Sequence, residues 1–339
     1  MTFTQILNQI VDGHDLSQEQ AAEMITHIFS GQITPAQTGA FMAALATKGE
    51  TFEELAGAAR AMRRKAARIQ TLSGKVIDTC GTGGDGSNSF NISTTTAFVV
   101  AGAGVTVAKH GNRSISSRCG SADVLEALDV NLAVDPEIVE EAVNEIGIGF
   151  LFAPTFHGAM KHAAQARKEC GIRSIFNMLG PLTNPAAASC QIVGVYAPAL
   201  TEMFANALNL LGVEKAFVVH GHDGMDEITT TDLTRVSELS GGRVKSYDLD
   251  PLNYFDDYAD PRDLQGGDAR TNADILIQIL SGEKGPCRDI VLINAGAGLV
   301  AADAAADIGQ GIQVAADAID SGRALKKLND LIQFTQENG

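Results

Sequence analysis

The chain has no tryptophan and only 5 % aromatic residues. Its interior must therefore be built from Ala, Leu, Ile and Val, which suits closely packed helices and a parallel sheet. Positive charge is also scarce: 25 Lys and Arg stand against 41 Asp and Glu, a formal net charge of −16. A nucleic acid or an anionic membrane needs a broad basic face, and this balance leaves room only for a local basic patch. The cysteines, Cys80, Cys119, Cys170, Cys190 and Cys287, are odd in number and include no C-x-x-C. That argues against a disulfide framework or a zinc site and favours buried thiols in a reducing cytoplasm. No apolar run approaches the ~18 residues of a membrane span. Residues 1–9 lack the basic-then-apolar order of a signal peptide. What is present is a chain of 339 residues with 45 % apolar content, enough for one large and one small domain with a packed core.

Residues 1–70 read as a small all-helical domain. Ser17-x-x-Gln20 and Thr51-x-x-Glu54 are capping boxes, and Thr34-Pro35 is a helix start with proline at the first helical position. Ile6, Ile10, Met24, Ile25, Ile28, Phe41, Met42, Leu45 and Leu55 recur at helical spacing. From residue 71 to 339 the pattern is α/β: a small helical domain, completed by helices near 157–190, precedes a large domain with a mostly parallel central sheet flanked by helices. Strands are expected at 76–80, 105–108, 192–196, 216–220 and 290–294, and a hairpin across Gly241-Gly242 within 236–248. Helices are expected at 91–103, 121–128, 137–146, 273–280, 299–306 and 310–334, the last interrupted near Ser321-Gly322.

Two segments carry chemistry, and each follows a strand-like run. Residues 81–94, GTGGDGSNSFNIST, are nearly free of bulky side chains, so backbone N–H groups can close around phosphate oxygens. Asn91, Ser93 and Thr94 then bring polar groups to the first turn of a helix, whose N-terminus favours anions. No Gly-Lys-Ser/Thr follows, and the glycines are not in the dinucleotide register. Residues 109–118, KHGNRSISSR, supply Lys109 and Arg113 for charge and Ser114, Ser116 and Ser117 as hydroxyl donors. Together the two segments describe a pocket for a small, heavily phosphorylated molecule.

Asp226-Glu227, after the strand expected at 216–220, are adjacent carboxylates suited to Mg²⁺, which takes oxygen ligands and keeps several waters. An acidic loop in an acidic protein is the plainer alternative. Lys161, Arg167, Lys168 and Arg173 lie on an expected helix and read mainly as a solvated face, one of them free to meet a carboxylate-bearing acceptor.

In this order, GTGGD, N-x-S-T, KHGNRS, the Arg167-bearing helix before IFNMLGPLTNPA, and Asp226-Glu227 resemble the anthranilate phosphoribosyltransferases over essentially the whole chain. The resemblance implies transfer of a 5-phosphoribosyl group from phosphoribosyl diphosphate (PRPP) to the amine of anthranilate, in tryptophan biosynthesis. It implies a PRPP site lined by Gly81, Gly84, Asp85, Ser89, Asn91, Ile92, Ser93, Thr94, Lys109, His110, Gly111, Asn112, Arg113, Ser114, Ile115, Ser116, Ser117 and Ser121. Gly81, Asn112 and Arg167 would contact anthranilate, with Arg167 facing its carboxylate. Ser93, Asp226 and Glu227 would hold Mg²⁺, two ions in all. A cytoplasmic homodimer formed through the helical domain is also implied. Arg118-Cys119 and Asp129 depart from the family pattern, Asp129 standing where glycine is common.

Such a reaction needs little acid–base help, because diphosphate leaves readily once its charge is neutralised and an aromatic amine is already neutral at pH 7. Lys109 and Arg113 are the electrostatic candidates, and no Ser, Cys or His nucleophile is expected. A pyrimidine nucleoside phosphorylase would need one phosphate site and no Mg-diphosphate clamp, and a nucleic-acid-binding paralogue would need a broad basic face.

Overall fold

The computed structural model describes residues 2–114 and 119–339. Four helices come first: α1 (Phe3–Val11), α2 (Gln18–Phe29), α3 (Pro35–Lys48) and α4 (Phe52–Lys65). Each opens with a reciprocal capping box, from Thr2/Gln5, Ser17/Gln20, Thr34/Gln37 and Thr51/Glu54. Every box satisfies two backbone donors that the first helical turn leaves over, contributing about 1 kcal/mol. Ile6, Ile10, Met24, Ile25, Ile28, Phe41, Met42, Leu45 and Leu55 are all at most 1 % exposed.

The larger part follows as β1 (Val76–Gly81), α5 (Ile92–Gly102), β2 (Thr106–Gly111), α6 (Ser121–Ala127), α7 (Pro136–Glu145) and β3 (Ile148–Phe152). A single turn α8 (Ala153–Phe156), then α9 (Lys161–Cys170) and another single turn α10 (Ile175–Met178), lead to β4 (Cys190–Gly194). α11 (Leu200–Leu210), β5 (Lys215–Gly221) and the hairpin β6 (Thr234–Ser240) and β7 (Arg243–Leu249) complete the sheet. The chain ends in α12 (Ala269–Leu280), α13 (Pro286–Ala301), α14 (Ile308–Asp320) and α15 (Arg323–Glu337).

The seven strands run in the order β3-β2-β1-β4-β5-β6-β7. The first five are parallel to one another, and β6 and β7 are antiparallel additions at one edge. Successive residues of the central strands serve opposite faces, as the strand period demands. Ile192, Phe217 and Val219 join a core with α5 and α13. Val193 and Val218 join a second core with α4, α11, Ala163 and Ala166 of α9, and Phe176. α9 packs on α3 and α2, so the helical layer is assembled from two distant parts of the sequence.

The segment expected as a strand at 290–294 is instead the middle of α13, and the helix expected at 299–306 is that helix's last turn, ended by Asp303 at φ 59°. Ile290, Val291, Ile293, Ala295 and Ala297 are all 0 % exposed. A helix buried on every side has no amphipathic period, so its apolar run imitates a strand. α13 also meets α14 closely: a Cβ on Gly311 would lie 2.5 Å from the Gly296 carbonyl oxygen. β3 was not anticipated, and β2 extends to Gly111, so Lys109 and His110 belong to a strand rather than to a loop. Of the cysteines, Cys80, Cys119 and Cys190 are buried, whereas Cys287 is half-buried and Cys170 is exposed, against the expectation of buried thiols throughout. Among the described residues no helix is long and apolar enough to cross a membrane.

Candidate active site

β1 is the point where the sheet order reverses, with β2 and β3 laid down on one side and β4 and β5 on the other. In open parallel sheets, ligands bind beyond the carboxyl ends of the strands at this position. The glycine-rich turn leaves β1 here. Gly83, Gly84 and Gly86 have φ of 65°, 77° and 78°, and Asn88 has 55°, so the turn uses the left-handed region that glycine enters without steric cost. The backbone N–H groups of Gly84, Asp85, Gly86 and Ser87 donate to no protein acceptor among the described residues. The far end of the turn is fastened: Gly266 N–H donates to Asn88 O (2.9 Å), Phe90 N–H donates to Leu264 O (3.2 Å), and Ser89 bridges Gln265.

The carboxylates after β5 reach this turn from two strands away, across the end of β4. Asp226 Oδ2 accepts from Gly83 N–H (2.9 Å), and Asp226 N–H donates to Asp85 Oδ2 (3.4 Å). A Cβ on Gly81 would meet Asp226 Oδ2 at 2.5 Å, and one on Gly194 would meet the Asp226 carbonyl oxygen at 1.5 Å. These two glycines, at the ends of adjacent strands, therefore let Asp226 lie against the turn. Glu227 Oε1 accepts from Ser93 N–H (3.1 Å) at the start of α5. Burial and mutual repulsion among Asp85, Asp226 and Glu227 raise the pKa of both Asp226 and Glu227. A cation would relieve that repulsion, and the oxygen donors Asp226, Glu227 and Ser93 suit Mg²⁺, which is held by one or two carboxylates plus water and substrate phosphate. Among the described residues no three His, Cys, Asp or Glu side chains form a metal cage, and Mg²⁺ bound with substrate phosphate does not require one.

Beneath the turn lies Lys109, 3 % exposed, on β2. Its Nζ donates to Thr79 O and lies 3.4 Å from Ser93 Oγ. Burial lowers its pKa, and Asp78, Cys80 and Glu227 pull it back up. Asp78 is itself 0 % exposed, accepting from His110 N–H (3.0 Å) and Asn184 Nδ2 (2.7 Å). His110 is a neutral ring: burial, followed by the nearby His157, lowers its pKa to about 3, so Nδ1 donates to Gly180 O at 3.1 Å. It ties β2 to the Gly180-Pro181 turn and is not a base at neutral pH.

The basic segment is arranged differently from the expectation of free cations. Arg113 is held by Glu126 (2.8 Å) and Asp123 (3.2 Å) of α6, which also receives Ser114 N–H at 3.0 Å. Asn112 is exposed, and its carbonyl accepts from Ser121 Oγ at 3.3 Å. A Cβ on Gly111 would meet that same Ser121 Oγ at 2.2 Å. Ile115, Ser116 and Ser117, together with Arg118, lie outside the described residues. Ile92 and Thr94 sit in the first turn of α5, each 1 % exposed. Asn91 Oδ1 accepts from Asn272 Nδ2 of α12 (2.8 Å). Asp129 has φ 64°, a left-handed position that glycine would enter without steric cost.

Arg167 is half-buried on α9, its guanidinium 5.9 Å from the centre of the Phe176 ring. It has no carboxylate partner among the described residues, and burial lowers its pKa. Arg173 is not on that helix, which Gly171 ends at φ 61°. It lies beyond, donating to Gly84 O and stacked 4.2 Å from the centre of the Tyr196 ring. Sequence reasoning passed over Asn272, Gln265 and Gly194. Of these only Gly194, a glycine closing a strand beside the phosphate turn, carried a legible signal.

A glycine turn with free amides, a carboxylate pair suited to Mg²⁺ and a helix N-terminus at a sheet switch point form a site fit for a phosphorylated small molecule bound with Mg²⁺. Residues 4–66 match the helical bundle domain of the glycosyl transferase family, and residues 73–325 match its a/b domain. The anthranilate phosphoribosyltransferase of Desulfosudis oleivorans is 66 % identical, over 99 % of this chain and 100 % of that one. The crystal structure of the Thermus thermophilus enzyme is 40 % identical and superposes with a TM-score of 0.92, covering 98 % of this chain and 99 % of that one. The Saccharomyces cerevisiae enzyme, solved in complex with PRPP and Mg, is 28 % identical with a TM-score of 0.90, covering 99 % and 98 %. This chain belongs to the anthranilate phosphoribosyltransferase family. Its activity is Mg²⁺-dependent transfer of the 5-phosphoribosyl group from PRPP to the anthranilate amine, a step of tryptophan biosynthesis.

Proposed function

We propose that the turn at 81–94 binds the donor and that the helical layer, residues 1–70 with the segment near 157–190, presents the acceptor to it. The observation that carries this reading is the set of unclaimed amides from Gly84 to Ser87 beside Asp226 and Glu227. A diphosphate could not approach three carboxylates unaided, so the site calls for cations between protein and ligand. Asp226, Glu227 and Ser93 would hold them, and two ions match the separation of the carboxylates onto the turn and onto α5. When bound, Mg²⁺ neutralises the leaving diphosphate.

The chain's own residues do the rest. The free amides hold phosphate oxygens at no reorganisation cost, and Ser93 and Asn91 face the same N-terminus of α5. Lys109 supplies buried positive charge under Ser93, balancing Glu227 and Asp78. Arg113, with Asn112, Ser114 and Ser121, forms the rim on the α6 side, released from its carboxylates when the donor competes for it. Arg167, half-buried and without a carboxylate partner among the described residues, pairs with the anthranilate carboxylate and fixes the amine for attack on the anomeric carbon as diphosphate departs. The amine is neutral at pH 7, so its proton passes to solvent or phosphate after bond formation, and neutral His110 is not needed as a base.

The proposal extends to a homodimer formed through the helical domain, in the cytoplasm; sedimentation of the purified chain tests the dimer. The decisive experiment follows anthranilate fluorescence with and without PRPP and Mg²⁺. Loss of anthranilate only when both are present supports the reading, and an unchanged signal with both removes it.

A further inference from the structure

One cation outside the expected donor set touches the phosphate turn directly. Arg173 belongs to the stretch between α9 and α10, on the helical side of the cleft, yet its guanidinium donates to the carbonyl of Gly84. The same guanidinium lies 4.2 Å from the centre of the Tyr196 ring, a cation–π stack. Tyr196 in turn is fixed to the start of the turn, because its N–H donates to Thr82 Oγ1 at 3.1 Å and Thr82 N–H donates to Gly194 O at 2.9 Å. Arg173, Tyr196, Thr82 and Gly84 thus close a ring that spans the turn from the helical layer.

The consequence lies in peptide geometry. Among the described residues no peptide bond is cis, and in a trans peptide the carbonyl and the following N–H point to opposite sides. Anchoring Gly84 C=O to Arg173 therefore sends the Asp85 N–H the other way, and that N–H has no acceptor among the described residues. A glycine at φ 77° can flip its peptide at little cost, and the flipped turn would turn a carbonyl dipole where an amide is needed. A guanidinium suits this task because its plane can lie flat on the ring while an edge N–H donates, whereas an ammonium has no plane to stack.

We propose that Arg173 is a positioning residue for the donor: it locks the Gly84–Asp85 peptide in the orientation that offers amide hydrogens to diphosphate. The inference rests on the reading of the turn as the PRPP site.

The test is calorimetric titration of PRPP with saturating Mg²⁺ into the wild type, Arg173→Ala, Arg173→Lys and Tyr196→Phe, with steady-state kinetics on each. Arg173 is exposed, so its removal should leave the thermal midpoint nearly unchanged. We expect Arg173→Ala to weaken PRPP binding about tenfold and to raise its KM equally, while kcat and the KM for anthranilate stay within about twofold. Arg173→Lys should behave like Arg173→Ala, and Tyr196→Phe, which keeps the ring, like the wild type. Wild-type PRPP affinity retained by Arg173→Ala, full rescue by lysine, or equal loss for donor and acceptor would each overturn the assignment. If the wild type itself took up no PRPP, the reading of the turn would fall first, and the variants would not be needed to show it.

Discussion

The turns after β1 and β2 are neighbours in space and opposites in design. The first is bare in sequence, yet in the fold it carries concentrated negative charge, because Asp226 and Glu227 arrive from the end of β5. The second is cationic in sequence, yet in the fold Lys109 lies buried within β2 itself and Arg113 is occupied by Asp123 and Glu126. Charge at a site is thus set by what the sheet brings together, and not by the composition of the loop that names it. The difference also explains why a diphosphate site can be built in a chain of net charge −16: divalent cations, rather than a basic surface, reconcile the ligand with the carboxylates.

The comparison breaks most completely if the acidic half is neutralised. Asp226→Asn combined with Glu227→Gln should lower kcat/KM by about a hundredfold or more and move the Mg²⁺ dependence of the rate to higher concentration. An unaltered Mg²⁺ titration would show that these carboxylates do not hold the ion. Next comes Lys109→Met, which leaves Asp78 and Glu227 buried without their compensating charge. It should destabilise the protein by about 3 kcal/mol in denaturant unfolding, along with loss of activity; full stability would mean that Lys109 stays neutral in the fold. Arg167→Ala should raise the KM for anthranilate roughly tenfold while the KM for PRPP changes little. Equal change in both would detach Arg167 from the acceptor.

A smaller effect should appear in the pH dependence of the metal-bound form. Asp226 and Glu227 have pKa values raised in the ion-free fold, so they bind protons there that the unfolded chain has already released. Their contribution to stability is therefore present below the ordinary carboxyl range and is lost as pH rises through the raised values. Mg²⁺ must displace those protons, so its stabilising shift of the thermal midpoint should be larger at about pH 8 than at about pH 5.5. A pH-independent shift would contradict the crowded pair. The smallest change is expected from Arg113→Ala, an exposed ion pair whose loss should hardly move the thermal midpoint and should raise the KM for PRPP only modestly.

Much of this was legible beforehand where local chemistry dominates. The capping boxes at Ser17 and Thr51, the helix start at Thr34-Pro35, the hairpin across Gly241-Gly242 and the break near Ser321-Gly322 depend on neighbours in sequence, and each is present. α13 was misread because complete burial removes the period that marks a helix, and β3, a short run of five residues that includes Gly149, was missed although Gly147 at φ 74° marks its start. Arg173 was placed on a helix face although Gly171, left-handed at φ 61°, is itself a helix-ending glycine; what near neighbours do not show is that the residues beyond it turn toward Gly84.

By itself, the sequence determined the chemical inventory: a glycine turn able to adopt left-handed backbone, a short list of cations and an adjacent pair of carboxylates. Those properties follow from residue type and near neighbours. Tertiary structure alone decided their pairing. Asp226 was brought against Gly83, Lys109 was sunk beneath Ser93, and Arg113 was turned onto α6. These contacts, between residues 13 to 143 positions apart, depend on strand order and helix packing, and burial then sets the charge state each group can hold.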